Sequence, residues 1–260
     1  MIDAIEKSRQ KFTFPKYTAG EKVALFIPCY VDQFYPSIGK ATVELLENAG
    51  IPLVFPEEQS CCGQPAFNSG YWADAQKVID HFAKVFEPYS WIVTPSSSCA
   101  AMCRVFYEES APDSLGAVVG KRVFEICEFL VDILGLTDFG ATFPDASKKV
   151  TMHIGCHGRR ELGNAESAMK LLLGIKNLNY VELPNMEECC GFGGTFSVKM
   201  AGTSLAMGKK KIENIRKSGA DLIATTDISC AMHFGGMMQL DSTMKHIPIK
   251  HITELLVNNK

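Results

Sequence analysis

Eight of the ten cysteines in this 260-residue chain fall into one pattern that is used twice. The first copy is Cys29, then Cys61-Cys62-Gly63, then Cys99; the second is Cys156, then Cys189-Cys190-Gly191, then Cys230. Cys29 to Cys61 is 32 positions and Cys156 to Cys189 is 33, while Cys62 to Cys99 is 37 and Cys190 to Cys230 is 40. Each copy offers four thiolates to one centre, the donor set of a soft metal site and above all of an iron–sulfur cluster. Zinc is the nearest rival, because four cysteines also make a structural zinc site. Such zinc sites usually rest on two tight cysteine pairs, which this pattern lacks. The bland alternative is a set of buried free cysteines acting as small apolar residues. The doubling argues against it.

Further residues could extend this chemistry. Cys103 lies four residues after Cys99, so on a helix the two would share a face and Cys103 could be a fifth ligand or simply a buried helix cysteine. The second copy has no cysteine there; it reads Cys230-Ala-Met-His233, and His233 could be a nitrogen ligand, a proton relay or a core histidine. Cys127 sits on an apolar helix and reads as core. Around Cys156 stand His153, His157, Arg159 and Arg160. A histidine at the end of a strand can act as a general base near neutral pH. Arg159, Arg160 or Lys199 could hold a substrate carboxylate, an arginine by a bidentate contact; the plainer reading of these charges is a solvated helix start. The run from Gly191 to Thr195 resembles an anion-binding turn before a helix. It lacks the spacing of a Walker or dinucleotide motif and implies no nucleotide.

The segments that must position these residues repeat with them. KVALFIPC leads to Cys29 and KVTMHIGC leads to Cys156. Helix-like stretches follow at Ile38–Asn48 and Ala165–Leu173, then short strand-like pieces run into each Cys-Cys-Gly. Long helices are expected at Tyr71–Phe86 and Ser197–Ser218, then buried strands in WIVTPSSSC and ADLIATTDISC. The closing helical segments are EICEFLVDIL and KHITELLVNN. Corresponding cysteines are offset by 127, 128 and 131 residues, which argues for duplication of a unit of roughly 125 residues. Alternating strands and helices predict an α/β fold of two duplicated βαβ halves, each a small parallel sheet flanked by helices. Every cysteine loop then lies at the carboxyl ends of strands, the edge where open α/β sheets bind ligands. A glycine after each pair allows the turn that aims both thiolates at one centre. The expected organisation is a polar arm or short helix over 1–20, a first cysteine-rich domain over 21–145 and a second over 146–260. The stretch Thr137–Ser147 serves as the boundary between them.

Composition narrows the class. Hydrophobic residues make up 47% and charged residues 21%, as in a globular protein with a real core. A net charge of −3 without a basic run disfavours nucleic acid. The first residues carry no apolar segment of a secretory signal, and no apolar run approaches the length of a membrane span. A cytoplasmic location is expected, where ten cysteines point to metal or redox chemistry and not to disulfides.

Several stretches make the chain recognisable: GKATVELLE at 39–47, CCGQPAFNSGY at 61–71, PSSSCAAM at 95–102, CCGFGGTFSVKM at 189–200 and SCAMHFGG at 229–236. Each half resembles the CCG cysteine-rich domain of the catalytic subunit of heterodisulfide reductases. That domain also occurs in subunits of glycolate, glycerol-3-phosphate and lactate oxidation systems. From about Lys22 onward the chain is most similar to the lactate utilisation protein A (LutA/YkgE) family. The resemblance implies an iron–sulfur oxidoreductase subunit in the oxidation of L-lactate to pyruvate. It implies one or two clusters, of 4Fe–4S type, on Cys29, Cys61, Cys62, Cys99, Cys156, Cys189, Cys190 and Cys230. It also implies two partners, a LutB-like ferredoxin-type protein that receives electrons and a LutC-like protein. Other 2-hydroxy acids, glycolate among them, are alternative substrates; thiol–disulfide reduction and a zinc-stabilised scaffold are alternative roles. The heterodisulfide pattern ends each half in C-x-x-C, whereas here Cys99-x-x-Met102 and Cys230-x-x-His233 stand. This departure favours a four-thiolate cluster over a fused cluster with five. A substrate or redox partner is expected between the halves, where the two cysteine rims would face each other.

Overall fold

The computed structural model describes residues 12–240 and 246–257. It contains two four-stranded, all-parallel sheets of the same topology. The first has the order β2-β1-β3-β4, with β1 at Val23–Leu25, β2 at Leu53–Val54, β3 at Trp91–Thr94 and β4 at Val123–Glu125. The second has the order β6-β5-β7-β8, with β5 at Lys149–His153, β6 at Asn179–Tyr180, β7 at Leu222–Thr225 and β8 at Ile249–His251. Corresponding pairings are Val23 with Leu53 and Trp91 in the first sheet, and Val150 with Tyr180 and Leu222 in the second. The fold is thus the expected pair of duplicated α/β halves. β4 and β8 are strands that the pattern did not announce, because each is three residues long and runs directly into a helix.

Local chemistry explains the helices. Trp72–Phe86 buries Ala75, Ile79, Phe82, Ala83 and Phe86, one face of a 3.6-residue period. Burying each of its large apolar side chains contributes about 1.5–3 kcal/mol. Pro36 at the first position starts Pro36–Asn48, since its missing N–H has no partner to lose there. The expected helix over Ser197–Ser218 is broken at Met200, which leaves helical geometry (φ −125°, ψ 47°) between Phe196–Lys199 and Ala201–Ser218. The closing helices begin with matching caps. The Glu125 side chain accepts from Cys127 N while Glu128 accepts from Glu125 N; His251 and Glu254 do the same at Ile252–Leu256. Each reciprocal pair satisfies backbone donors that the helix start leaves open.

The two sheets share a core. Val23, Leu25, Leu45, Trp91, Phe124 and Phe129 from the first half join Val150, Met152, Leu171, Leu172, Ile252 and Leu256 from the second in one buried cluster. The exchange is reciprocal: Val31 and Ile38 enter the second half's cluster around Ile212 and Phe234, and Leu162 enters the first half's cluster around Phe82 and Tyr107. Of the expected polar arm, residues 1–11 lie outside the described residues. Beyond them, Phe12, Phe14 and Tyr17 pack on the shared core. Phe12 covers the Arg104 guanidinium at 4.5 Å from its ring centroid.

Candidate metal centre

Three neighbouring strands deliver each set of cysteines. In the first half Cys29 follows β1, Cys61-Cys62 follows β2 and Cys99 follows β3; Cys156, Cys189-Cys190 and Cys230 follow β5, β6 and β7 in the second. Because β1 lies between β2 and β3, and β5 between β6 and β7, the three loops of each set emerge side by side at the strands' carboxyl ends. Backbone geometry aims them. Gly63 and Gly191, directly after the pairs, have φ of +84° and +88°, a region that L side chains enter at a cost. Their N–H groups lie 3.4 Å from Cys61 Sγ and Cys189 Sγ. Ser96 caps the helix Ser97–Ala101 by accepting from Cys99 N.

All eight cysteines of the double pattern line one cavity of about 150 Å³ between the halves. Within it Cys62 Sγ and Cys99 Sγ are 3.6 Å apart, and Cys190 Sγ and Cys230 Sγ 3.0 Å. All ten cysteines are free. In each half the first sulfur of the adjacent pair is the one most favoured to ionise. The S–H groups of Cys29 and Cys62, and then the Gly63 N–H, hold Cys61 well below the usual thiol range. Cys156, Cys190 and the Gly191 N–H do the same for Cys189. Hydrogen bonding to these thiolates, with burial, pushes Cys29, Cys62, Cys156 and Cys190 up. Eight converging sulfurs around a common space are a donor set for soft metal, and the residues present fit an iron–sulfur group in each half.

Contacts across the halves fix the cavity walls. Asp227 Oδ2 accepts from Ser98 N at 2.7 Å, while Asp227 Oδ1 accepts from Ser229 N at 3.1 Å. Gln64 Nε2 lies 3.2 Å from His157 Nδ1, and Ser69 Oγ 2.7 Å from Thr195 Oγ1. Sequence reading did not single out Gln64 or Asp227. The only available signal was their position, one after a cysteine pair and one at the end of a strand.

The other expected site residues are scattered. His157 lines the cavity. Arg159, Arg160 and Lys199 do not; Arg160 donates to Glu187 O, and Lys199 Nζ lies 5.2 Å from the Tyr71 ring centroid. Among the described residues the lining contains neither arginine nor lysine. His153 is buried behind the cavity, where loss of solvation lowers its pKa to about 3 and keeps the ring neutral. Cys103 is fully buried outside the lining, and loss of solvation raises its pKa well above the usual thiol range. His233 is engaged by Ser204, with Nε2 3.3 Å from both its hydroxyl and its carbonyl oxygen. Lys211, which sequence reading missed, is fully buried and donates to Asn185 O and Met186 O. Among the described residues no helix is long and apolar enough to cross a membrane.

Comparison with known proteins agrees with this geometry. The family model for the CCG cysteine-rich domain matches twice, over residues 23–104 and 150–235. Lactate utilization protein A of Geobacillus sp. (strain WCH70) is 44% identical over 239 residues, covering 90% of this chain and 98% of that one. Lactate utilization protein A of Bacillus subtilis (strain 168) is 43% identical over the same shares. A crystal structure of a hypothetical protein from Helicobacter pylori shares the fold at a TM-score of 0.53 and 10% identity. The match covers 98% of this chain and 53% of that one. With two cysteine-rich domains and relatives of this identity along nearly its whole length, the chain belongs to the lactate utilization protein A family of CCG proteins.

Proposed function

We propose that this chain is the iron–sulfur subunit of a cytoplasmic complex that oxidises L-lactate to pyruvate, and that it carries electrons toward a ferredoxin-like partner. The observation that carries the proposal is the single cavity lined by all eight cysteines. The name its relatives carry, lactate utilization protein A, supports the substrate. Cys29, Cys61, Cys62 and Cys99 would hold one group, and Cys156, Cys189, Cys190 and Cys230 a second. Such groups, when bound, accept and pass on single electrons.

The protein's own residues orient and enclose. Gly63 N–H and Gly191 N–H stabilise thiolate charge at Cys61 and Cys189. Asp227 fixes the start of the helix that carries Cys99. Oxidation of lactate releases two electrons and two protons. Were lactate to react in this cavity, His157, with Gln64 beside its ring, would be the lining group placed to take a proton. No cationic side chain among the described lining residues is available to grip a carboxylate. That observation favours an electron-carrying role, with lactate held elsewhere in the complex.

Metal and acid-labile sulfide content, measured with the visible spectrum of protein prepared without oxygen, tests the proposal. Iron and sulfide in equal amounts with brown absorbance are expected; zinc without sulfide would overturn it in favour of a scaffold. Replacing His157 with Ala at unchanged iron content separates the two roles. Unchanged lactate turnover in the reconstituted complex is expected of an electron carrier, and a large loss would mean that chemistry occurs in this cavity.

A further inference from the structure

His153 is a fully buried histidine with no hydrogen-bond partner at either ring nitrogen among the described residues. A buried imidazole normally satisfies both nitrogens, because an unpaired polar atom out of water costs free energy. Its edge rests on Phe234, with ring centroids 5.3 Å apart, which holds the ring in place without offering a polar partner. A nitrogen of His153, Cys190 Sγ and Cys230 Sγ all lie within 4.8 Å of one another. Among the described residues this is the one group of three candidate ligand atoms that close together.

The first half carries nothing comparable. Counting back three positions from Cys156 gives His153, and the same count from Cys29 gives Phe26. Counting forward four from Cys230 gives Phe234, and the same count from Cys99 gives Cys103. A phenylalanine and a polar donor thus exchange places between the halves. The second half has its donor on the strand, within reach of two cavity sulfurs. The first half's Cys103 is instead paired with Tyr107.

We propose that His153 supplies an imidazole nitrogen ligand to the metal group of the second half, so that the two centres differ: sulfur alone in the first, sulfur plus nitrogen in the second. This rests on the reading that both halves hold iron–sulfur groups. Exchanging that neutral imidazole for a thiolate adds negative charge to the centre and lowers its reduction potential, the difference that separates Rieske from all-cysteine centres.

The test uses full-length protein prepared without oxygen, with histidine labelled with nitrogen-15, and pulsed EPR of the reduced state. A strong, directly bonded nitrogen coupling that responds to the label is expected in the wild type. In His153→Cys, which restores an all-sulfur set, it should vanish while iron and sulfide stay at wild-type content, and the midpoint potential of one of the two centres should fall. Iron and sulfide at full content without a histidine coupling would overturn the proposal and leave the cluster reading standing. A coupling that persists in His153→Cys would assign it to another histidine and overturn it equally. Absence of iron and sulfide from the wild type would remove the cluster reading and this inference with it.

Discussion

The two halves have one topology and one cysteine rim, yet they differ in what stands behind the rim. The first half backs its cysteines with Phe26 and Ala83, both fully buried. The second has His153 and Lys211 at the positions that match by count from Cys156 and from Gly191. Elsewhere the imbalance reverses. Arg104 and Glu128 form a buried bidentate ion pair in the first half, at 2.6 and 2.9 Å. In the second half the matching positions are Gly235 and Glu254, and Glu254 pairs with the half-exposed Lys250 at 3.5 Å. Duplication conserved the frame that positions sulfur and let the buried charges diverge. The first half spends its buried charge on structure, the second beside its site.

The largest test of this contrast is removal of the cation from each pair. Arg104→Leu strands the Glu128 carboxylate in the core and should cost about 3–5 kcal/mol. Lys250→Ala, which removes the half-exposed partner of Glu254 at the second half's cap, should cost less than about 1 kcal/mol. Urea unfolding of both variants under reductant measures the two; equal losses would dissolve the contrast.

The glycines after the cysteine pairs come next. A Cβ at Gly191 would lie 2.7 Å from both Met207 Cβ and Ser204 O, whereas one at Gly63 meets nothing closer than 3.5 Å. Both share the left-handed backbone penalty of about 1–2 kcal/mol, and Gly191→Ala adds about 1–3 kcal/mol of overpacking. Gly191→Ala should therefore be the more destabilising, and should cost the second half its metal while Gly63→Ala retains more. Unfolding midpoints and iron content read both effects.

The smallest effect, per pH unit, is a difference in pH response at the matching caps. Burial lowers His251 to about 4, so the unfolded chain binds the extra proton, and stability is lost as pH falls below the usual histidine range toward that value. Burial, with the Glu128 charge second, raises Glu125 to about 8. The folded state then holds the extra proton, and stability is lost as pH rises from the usual carboxyl range through that value. Each changes stability by at most about 1.4 kcal/mol per pH unit, His251 between the usual histidine range and about pH 4 and Glu125 between the usual carboxyl range and about pH 8. His251→Asn, which keeps a capping side chain, should flatten the acid limb of melting temperature against pH for metal-free protein. Glu125→Gln should remove the loss of stability that accompanies rising pH between the usual carboxyl range and about pH 8. A variant that changes the pH dependence in the opposite direction would contradict these assignments.

Sequence spacing was enough to locate the rims, because cysteines at strand ends repeat with a steady offset and parallel βαβ units have few possible arrangements. The helices Trp72–Phe86 and Ala165–Leu173 were legible from apolar periodicity. What burial decides was not legible. Nothing in one strand's pattern says that Val23 and Ile252 share a core, that Phe12 covers Arg104, or that His153 faces inward with no hydrogen-bond partner among the described residues. Charge near a cysteine suggested a carboxylate grip by Arg159, Arg160 or Lys199. The cavity lining has no arginine or lysine among the described residues, and its polar groups are neutral or acidic side chains such as Gln64, Asn68 and Asp227, with His157. Aligning the halves position by position is the signal that singles out Lys211, because it stands opposite a buried alanine.

The reciprocal exchange between the halves also has a consequence for biogenesis. Lining residues run from Pro28 to Cys230, and each half completes its interior with side chains from the other. Parallel sheets joined over such long sequence separations fold late compared with local structure. A growing chain that has emerged only as far as the first sheet leaves Val23, Leu25, Trp91 and Phe124 without their second-half partners, and its four thiols without the opposite wall. The cysteine-lined chamber closes only after the second sheet has emerged, and until then the first half's sulfurs stand without that shelter.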